Sequence, residues 1–221
     1  MAENHNKKGA PVEATQEEGF VQRNLKKIAY CVVVIILLLV ACLLGKNYFE
    51  KQDKKAAEAL FPCEQLFQQG NYEKALNGDG QEVLGLVEVA KKYSHTKSGN
   101  LAKLYAGLAY AQTEKYEDAE KYLSDFDTKD DEMVSPAAIA RLGNVYVHLG
   151  KTDKAIEMLK KAAKKADNNV ESPIFLVQAA ELLESQGKTD EALELYEKVK
   201  ENYRGSQIGQ EIDKYIERVK K

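Results

Sequence analysis

Three histidines, three cysteines and one acidic run are the residues of this 221-residue chain whose types could support chemistry. A zinc site would need cysteines or histidines paired at short fixed spacings, such as His-Glu-x-x-His on a helix. No such pairing occurs, and His5, His95 and His148 stand far apart in the chain. Cys31 and Cys42 fall in an apolar run, which leaves Cys63 as the one thiol beyond it. No histidine or lysine adjoins Cys63 to lower its pKa, so a packed thiol is the reading, not a nucleophile. The run Lys129-Asp130-Asp131-Glu132 lacks the alternating oxygens and central glycine of a calcium loop and reads as a solvated connection. Tyr93-Ser-His-Thr-Lys-Ser-Gly99 holds one glycine, too few to cradle a phosphate. The expectation is a non-enzyme with no cofactor and no metal.

The elements that would position any binding surface begin with Ile28 to Gly45, an apolar run without a charge. Eighteen helical residues span about 27 Å at 1.5 Å each, close to the hydrocarbon thickness of a bilayer. No polar face appears in that length, as one would on a soluble helix. The organisation expected is a disordered tail (1–27), a transmembrane helix (28–45), a membrane-proximal helix with a degenerate repeat (46–97), and a repeat region (98–221). Arg23, Lys26 and Lys27 precede the run, and Lys46, Lys51, Lys54 and Lys55 follow it, so flanking charge does not orient it. A short tail before an unbroken apolar run is the layout of a signal anchor. It places the N-terminus in the cytoplasm and the large domain on the far side of a plasma or inner membrane, in a periplasm or its equivalent. Leu39-Val40-Ala41-Cys42 has the form of a lipoprotein processing site, an alternative opposed by the long polar lead and by Leu43-Leu44 beyond the cysteine.

Of the 32 Lys/Arg and 35 Asp/Glu, five and four precede residue 46, which leaves the soluble part at net −4. A mildly acidic, mixed surface argues against a nucleic-acid partner. Within it, Pro62 should bend or interrupt the leading helix near Leu60 or Phe61. Asn77-Gly-Asp-Gly80 should break the chain, and residues 81–93 should return to helix. From residue 98 the sequence repeats. Gly107, Gly143 and Ala180 are spaced by 36 and 37, as are Ala119, Ala155 and Ala192. Each unit holds two amphipathic patterns and a turn: T-E-K-Y-E-D-A, L-G-K-T-D-K-A and Q-G-K-T-D-E-A. Ser135-Pro136 and Ser172-Pro173 read as N-caps followed by a first-turn proline, and Thr152 and Thr189 as N-caps of the second helices.

This pattern resembles the tetratricopeptide repeat (TPR) family. Ile139, Leu142, Gly143, Tyr146, Ala155 and Leu159 fill successive positions of the middle unit. Leu176, Ala180, Leu183, Ala192 and Tyr196 fill the third. The first has Gly107, Tyr110 and Ala119, with Lys103 where an apolar residue is usual, and an earlier degenerate unit has Leu66, Gly70, Tyr72 and Ala75. The resemblance implies an all-α fold, a TPR-like solenoid of helical hairpins preceded by one N-terminal transmembrane helix. Gly107, Gly143, Ala180, Ala119, Ala155 and Ala192 would let paired helices approach, while Tyr110, Leu142, Tyr146 and Tyr196 fill the space between pairs. Ser206 to Lys221, with Ile208, Ile212, Tyr215, Ile216 and Val219 on one stripe, would close the end.

By the family's register the groove side chains would be Leu104, Leu108 and Gln112, then Arg141, Asn144 and His148, then Gln178 and Glu181. The implied partners are other proteins, namely membrane or exported polypeptides, translocon components or periplasmic chaperones. The lysine-and-asparagine set with which some relatives clamp a terminal carboxylate is not present. The layout is similar to the membrane-anchored ancillary subunit family of bacterial protein translocons, with a TPR lipoprotein scaffold of an outer-membrane assembly complex as the alternative.

Overall fold

A computed structural model describes residues 14–220, with side chains from residue 22 onward. Among the described residues every regular element is a helix. The chain divides into two compact units, Met1–Lys51 and Gln52–Lys221.

The first unit carries most of α1 (Ala14–Gln68), a helix long and apolar enough to cross a membrane. Its leucines, isoleucines and valines from Leu25 to Leu44 are uncovered, and Cys31 and Cys42 are exposed among them. The helix starts inside the stretch 1–27 expected to be a tail, at good helix formers such as Gln16, Glu17 and Glu18. Residues 1–13, with His5, lie outside the described residues.

The second unit starts within α1, which runs unbroken through Pro62. The expected interruption does not occur. The carbonyl freed by the missing donor belongs to Glu58, an exposed position where water can satisfy it. Leu60 and Cys63 hold the segment by packing against α2 (Tyr72–Asn77), α3 (Leu86–Lys92) and α4 (Lys97–Gln112), and Ala56 is buried one turn before them. Helix α3 begins at Leu86 and not at residue 81. The carboxylate oxygen Asp79 Oδ1 accepts from the amides of Gln81, Glu82 and Val83, each at 2.9 Å, and Gly85 takes φ +85°. The helix can form only beyond them.

Three hairpins follow: α4 with α5 (Tyr116–Ser124), α6 (Val134–His148) with α7 (Thr152–Ala166), and α8 (Ser172–Ser185) with α9 (Thr189–Asn202). Their close approach depends on missing side-chain atoms. A Cβ on Gly107 would stand 2.6 Å from Leu123 Cγ, and one on Gly143 would stand 3.3 Å from Leu159 Cγ. Ala119, Ala155, Ala180 and Ala192 are fully buried beside them.

One turn joins the helices in every hairpin, including the degenerate first one between α1 and α2. A residue in the left-handed region (Gly70, Glu114, Gly150 or Gly187) ends the first helix. The next amide then reaches back to a carbonyl five residues earlier: Asn71 to Leu66, Lys115 to Tyr110, Lys151 to Tyr146, Lys188 to Leu183. The N-cap position therefore falls on Lys151 and Lys188, and Thr152 and Thr189 are the first helical residues, contrary to expectation.

Ser135 and Ser172 are not N-caps either. Both are buried hydroxyls that tie down the preceding loop: Ser135 Oγ accepts from the Lys129 amide at 2.8 Å and Ser172 Oγ from the Asn168 amide at 3.0 Å. Capping falls to Asp131 and Asn168, 37 residues apart. Asp131 Oδ1 accepts from the amides of Met133, Val134 and Ser135, and Asn168 Oδ1 from those of Val170 and Glu171. The acidic run expected to be merely solvated thus supplies a helix start. Lys103, at a mostly covered position, forms an ion pair with Asp125 at 2.8 Å.

The stack ends on α10 (Gln207–Gln210) and α11 (Ile212–Val219), whose Ile212 and Ile216 are buried and whose Ile208, Tyr215 and Val219 pack against the same core. A polar latch fastens this lid. Glu184 accepts from Arg218 Nη2 at 2.6 Å, from Arg218 Nε at 3.1 Å and from the buried Tyr196 hydroxyl. Partial burial alone would raise the Glu184 pKa, but the hydrogen bonds from Arg218 and Tyr196 outweigh it and hold the carboxyl below its ordinary value.

Gly107→Ala should lower the stability of the detergent-solubilised chain by about 1–3 kcal/mol despite alanine's better helix propensity, because Leu123 must move. Gly143→Ala, with more room, should cost less. Thermal unfolding followed by circular dichroism checks the order, and the reverse order would contradict the packing. The latch gives a pH dependence of definite sign. A depressed carboxylate pKa contributes stability above the unfolded value of about 4.3, and the contribution is lost as pH falls through the folded value. Glu184→Gln should therefore flatten the acid limb of the stability profile below that pH.

Candidate partner-binding groove

Five of the eight expected groove residues line one cleft. On α4, Leu108 and Gln112 are one turn apart. On α6, Arg141, Asn144 and His148 fall at offsets 0, +3 and +7 and share a face. The cleft they enclose is about 430 Å³. Phe67 at the end of α1, Tyr72 at the start of α2 and Tyr116 at the start of α5 complete its walls, with Ala111 and Val145 between.

The aromatic side is ordered by ring contacts. Phe67 meets Tyr72 and Tyr105 edge-on, each at 5.2 Å between centroids. The His148 imidazole lies flat on the Tyr116 ring, 4.3 Å away and 5° from parallel. The polar side is unpaired. Arg141 is exposed and makes no ion pair, hydrogen bond or ring contact, and the Asn144 and Gln112 amides have no hydrogen-bond partner among the described residues. No carboxylate lines the cleft. An apolar, aromatic wall facing an uncompensated guanidinium and two free amides is equipped to bind, but it holds no nucleophile–base pair. Among the described residues no group of His, Cys, Asp and Glu could hold a metal ion. Cys63 is buried elsewhere in the core, where burial pushes its thiol pKa up.

The other three expected residues go elsewhere. Leu104 is a core residue, 8% exposed, packed with Ala138 and Leu142 beneath the contact of α4 with α6. Its register equivalents Ala140 and Val177 are buried too, so this position faces the neighbouring hairpin and not the groove. Gln178 and Glu181 lie on α8, outside this cleft, with Gln178 Oε1 buried and lacking a donor.

Of the repeat-packing set, Gly107, Ala119, Leu142, Gly143, Ala155, Ala180, Ala192 and Tyr196 are buried. Tyr110 and Tyr146 are only partly covered: one stacks on Tyr122 at 5.4 Å, and the other carries the Lys151 and Lys154 ammonium groups over its ring. The sequence reading missed Phe67, Tyr72 and Tyr116 as groove residues. A signal existed for two of them. N-Y-E-K-A and K-Y-E-D-A place Tyr72 and Tyr116 at the same first-turn position of equivalent helices.

Groove and core residues should separate cleanly in stability. Leu104→Ala should cost about 2–5 kcal/mol through an unfilled cavity. Arg141→Ala and Asn144→Ala should each stay within about 0.5 kcal/mol of the parent, since neither has a partner to lose. Denaturant titration of the full chain in detergent decides, and a large loss on Arg141→Ala would assign that residue to the fold.

Comparison with known proteins agrees with this architecture. Two solved structures of a putative kinesin light chain with nearly identical TPR-like repeats from Podosopora anserina, one of them a point variant, superimpose with a TM-score of 0.52. Each is 14% identical, covers 76% of this chain and is itself covered to 95% or 96%, which supports the fold and nothing finer. No curated protein matches the sequence. The family model described as a tetratricopeptide repeat-like domain matches residues 19–212, nearly the whole chain, and the protein is a member of that tetratricopeptide repeat-like family.

Proposed function

We propose that this chain is a membrane-anchored interaction module of the cell envelope that binds a segment of a partner polypeptide in the α4/α6 groove. The observation that carries the reading is the cleft itself. Arg141, Asn144 and Gln112 face it without partners, opposite Phe67, Leu108 and Tyr116. Asp131, Ser172 and Glu184 are engaged in hydrogen bonds that hold the fold, whereas these three are not and stay available to a partner. Anchoring is assigned to residues 28–45, with residues 1–27 in the cytoplasm and 46–221 outside. A domain held there meets polypeptides as they leave the membrane, and the layout fits an ancillary role beside the protein-export machinery. Processing at Cys42 into a lipoprotein is the second reading. Against it, the helix runs on through Leu43, Leu44 and beyond without a break.

A photo-cross-linking amino acid at Asn144 of the full-length protein in native membranes should yield discrete adducts that include export components. The same probe at exposed Lys161 on α7 should not. Equal adduct patterns at the two positions would remove the groove from the function. An unchanged mass and unchanged membrane attachment in Cys42→Ser would exclude the lipoprotein reading.

A further inference from the structure

We infer that the groove selects a partner segment by an internal acidic side chain, an aspartate or glutamate flanked by apolar residues, received by Arg141. This deepens the groove reading above and rests on it. The argument starts from charge. Several cations around this part of the fold are already paired: Lys103 with Asp125 at 2.8 Å, and Lys115 with Glu73 at 2.7 Å. Lys151, at the turn after α6, is held by Glu120. Arg141 alone among the residues lining this cleft carries a permanent charge, and nothing in the lining offsets it.

A guanidinium presents a planar fork of donors that matches one carboxylate in bidentate fashion. Asn144, one turn away on the same face, adds an amide donor. Arg141 is exposed in the free protein, and a segment seated against the apolar walls would exclude water from the pair, which strengthens a charge contact there. About 430 Å³ is room for a carboxylate side chain and an apolar neighbour, the latter against Phe67 and Leu108.

The acid belongs to the body of a chain and not to its end. Gln178 and Glu181 occupy, on α8, the register positions of Arg141 and Asn144, 37 residues on. Gln178 Oε1 is buried out of a partner's reach, but Glu181 is an exposed carboxylate. A segment that continues past Arg141 along α8 brings backbone N–H groups toward Glu181, which a chain ending at Arg141 does not reach.

The test uses the full-length protein in detergent micelles and two libraries of acetylated, amidated nonapeptides, random except for a central Glu in one and Gln in the other. The parent should capture the Glu library about tenfold better, with apolar residues enriched beside the centre, and the preference should shrink as salt rises. Arg141→Gln, which should fold normally, should abolish the preference, and Arg141→Lys should restore only part of it. Equal capture of the two libraries, or a preference that survives in Arg141→Gln, overturns the proposal. So does a Gln library with free C-terminal carboxylates that is captured as well as the amidated Glu library. Asn144→Trp, which fills the cleft, separates the two levels of the argument. Capture without acid preference that is lost in Asn144→Trp leaves the groove standing and removes its acid specificity. Capture that persists in Asn144→Trp removes the groove as well.

Discussion

The structure depends on how closely the two helices of each hairpin approach. Where Gly107 faces Leu123 there is no space for even a methyl group, and where Gly143 faces Leu159 there is barely enough. That contact draws the second helix of each unit against the first. The first helix is thereby also free to bury Leu104, Leu142 or Val145 between neighbouring hairpins. A wider separation at Gly107 would displace α5, and with it Tyr116, which forms one wall of the groove. Packing in the core and the geometry of the cleft are two consequences of the same close contact.

The turns carry that constraint along the chain. Each hairpin must reverse direction within three residues, and the left-handed residue at its tip permits this. Three of the four tips are glycine. The fourth is Glu114, whose φ of +59° is disfavoured for a residue with a side chain. That strain sits two residues before Tyr116 and is outweighed by tertiary packing. A second local device recurs at the helix starts. In Tyr93-x-x-Thr96-x-x-Gly99 and Tyr203-x-x-Ser206-x-x-Gly209, the hydroxyl accepts from the glycine amide at 3.0 Å and donates to the tyrosine carbonyl. A Cβ on either glycine would come within about 2 Å of that carbonyl oxygen. The glycine too isolated for a phosphate loop is required for this cap.

Much of the fold was legible because it rests on periodicity. Spacings of 36 and 37 residues, the apolar stripe of α11 and the charge-free run at Ile28 each follow from which residues must be hidden and how often a helix turns. What was missed depends on neighbours instead. Whether Ser135 caps its own helix or the loop before it is decided by Asp131, a competing acceptor four residues earlier. Pro62 reads as a helix breaker because a sequence shows the donor that proline lacks, but not the burial of Leu60 and Cys63 that holds the turn together. For the groove, Arg141, Asn144 and His148 could be read from helical offsets within one helix. Leu104 could not, because its fate is fixed by α6 lying over it. Nor could Phe67, which reaches the cleft from another hairpin altogether.

The aromatic residues explain why the cleft forms at this end of the repeat region. Tyr72 and Tyr116 occupy the first-turn position of α2 and α5, where the later units have Thr152 and Thr189. A tyrosine there is long enough to reach the first helices and wall off a cleft, and a threonine is not. The degenerate hairpin closes the other side with Phe67, held by its contacts with Tyr72 and Tyr105. Its departure from the repeat pattern is therefore useful. The insertion at Asn77-Gly-Asp-Gly80 ends α2 after six residues, and the chain closes on itself where Gly78 and Gly85 pass too near for a side chain on either. That closure lets α3 return to cover the apolar end of α1. The buried stripe of Ala56, Leu60 and Cys63 then fixes the position of Phe67, so the groove depends on the last turns of α1 as much as on the repeats that follow.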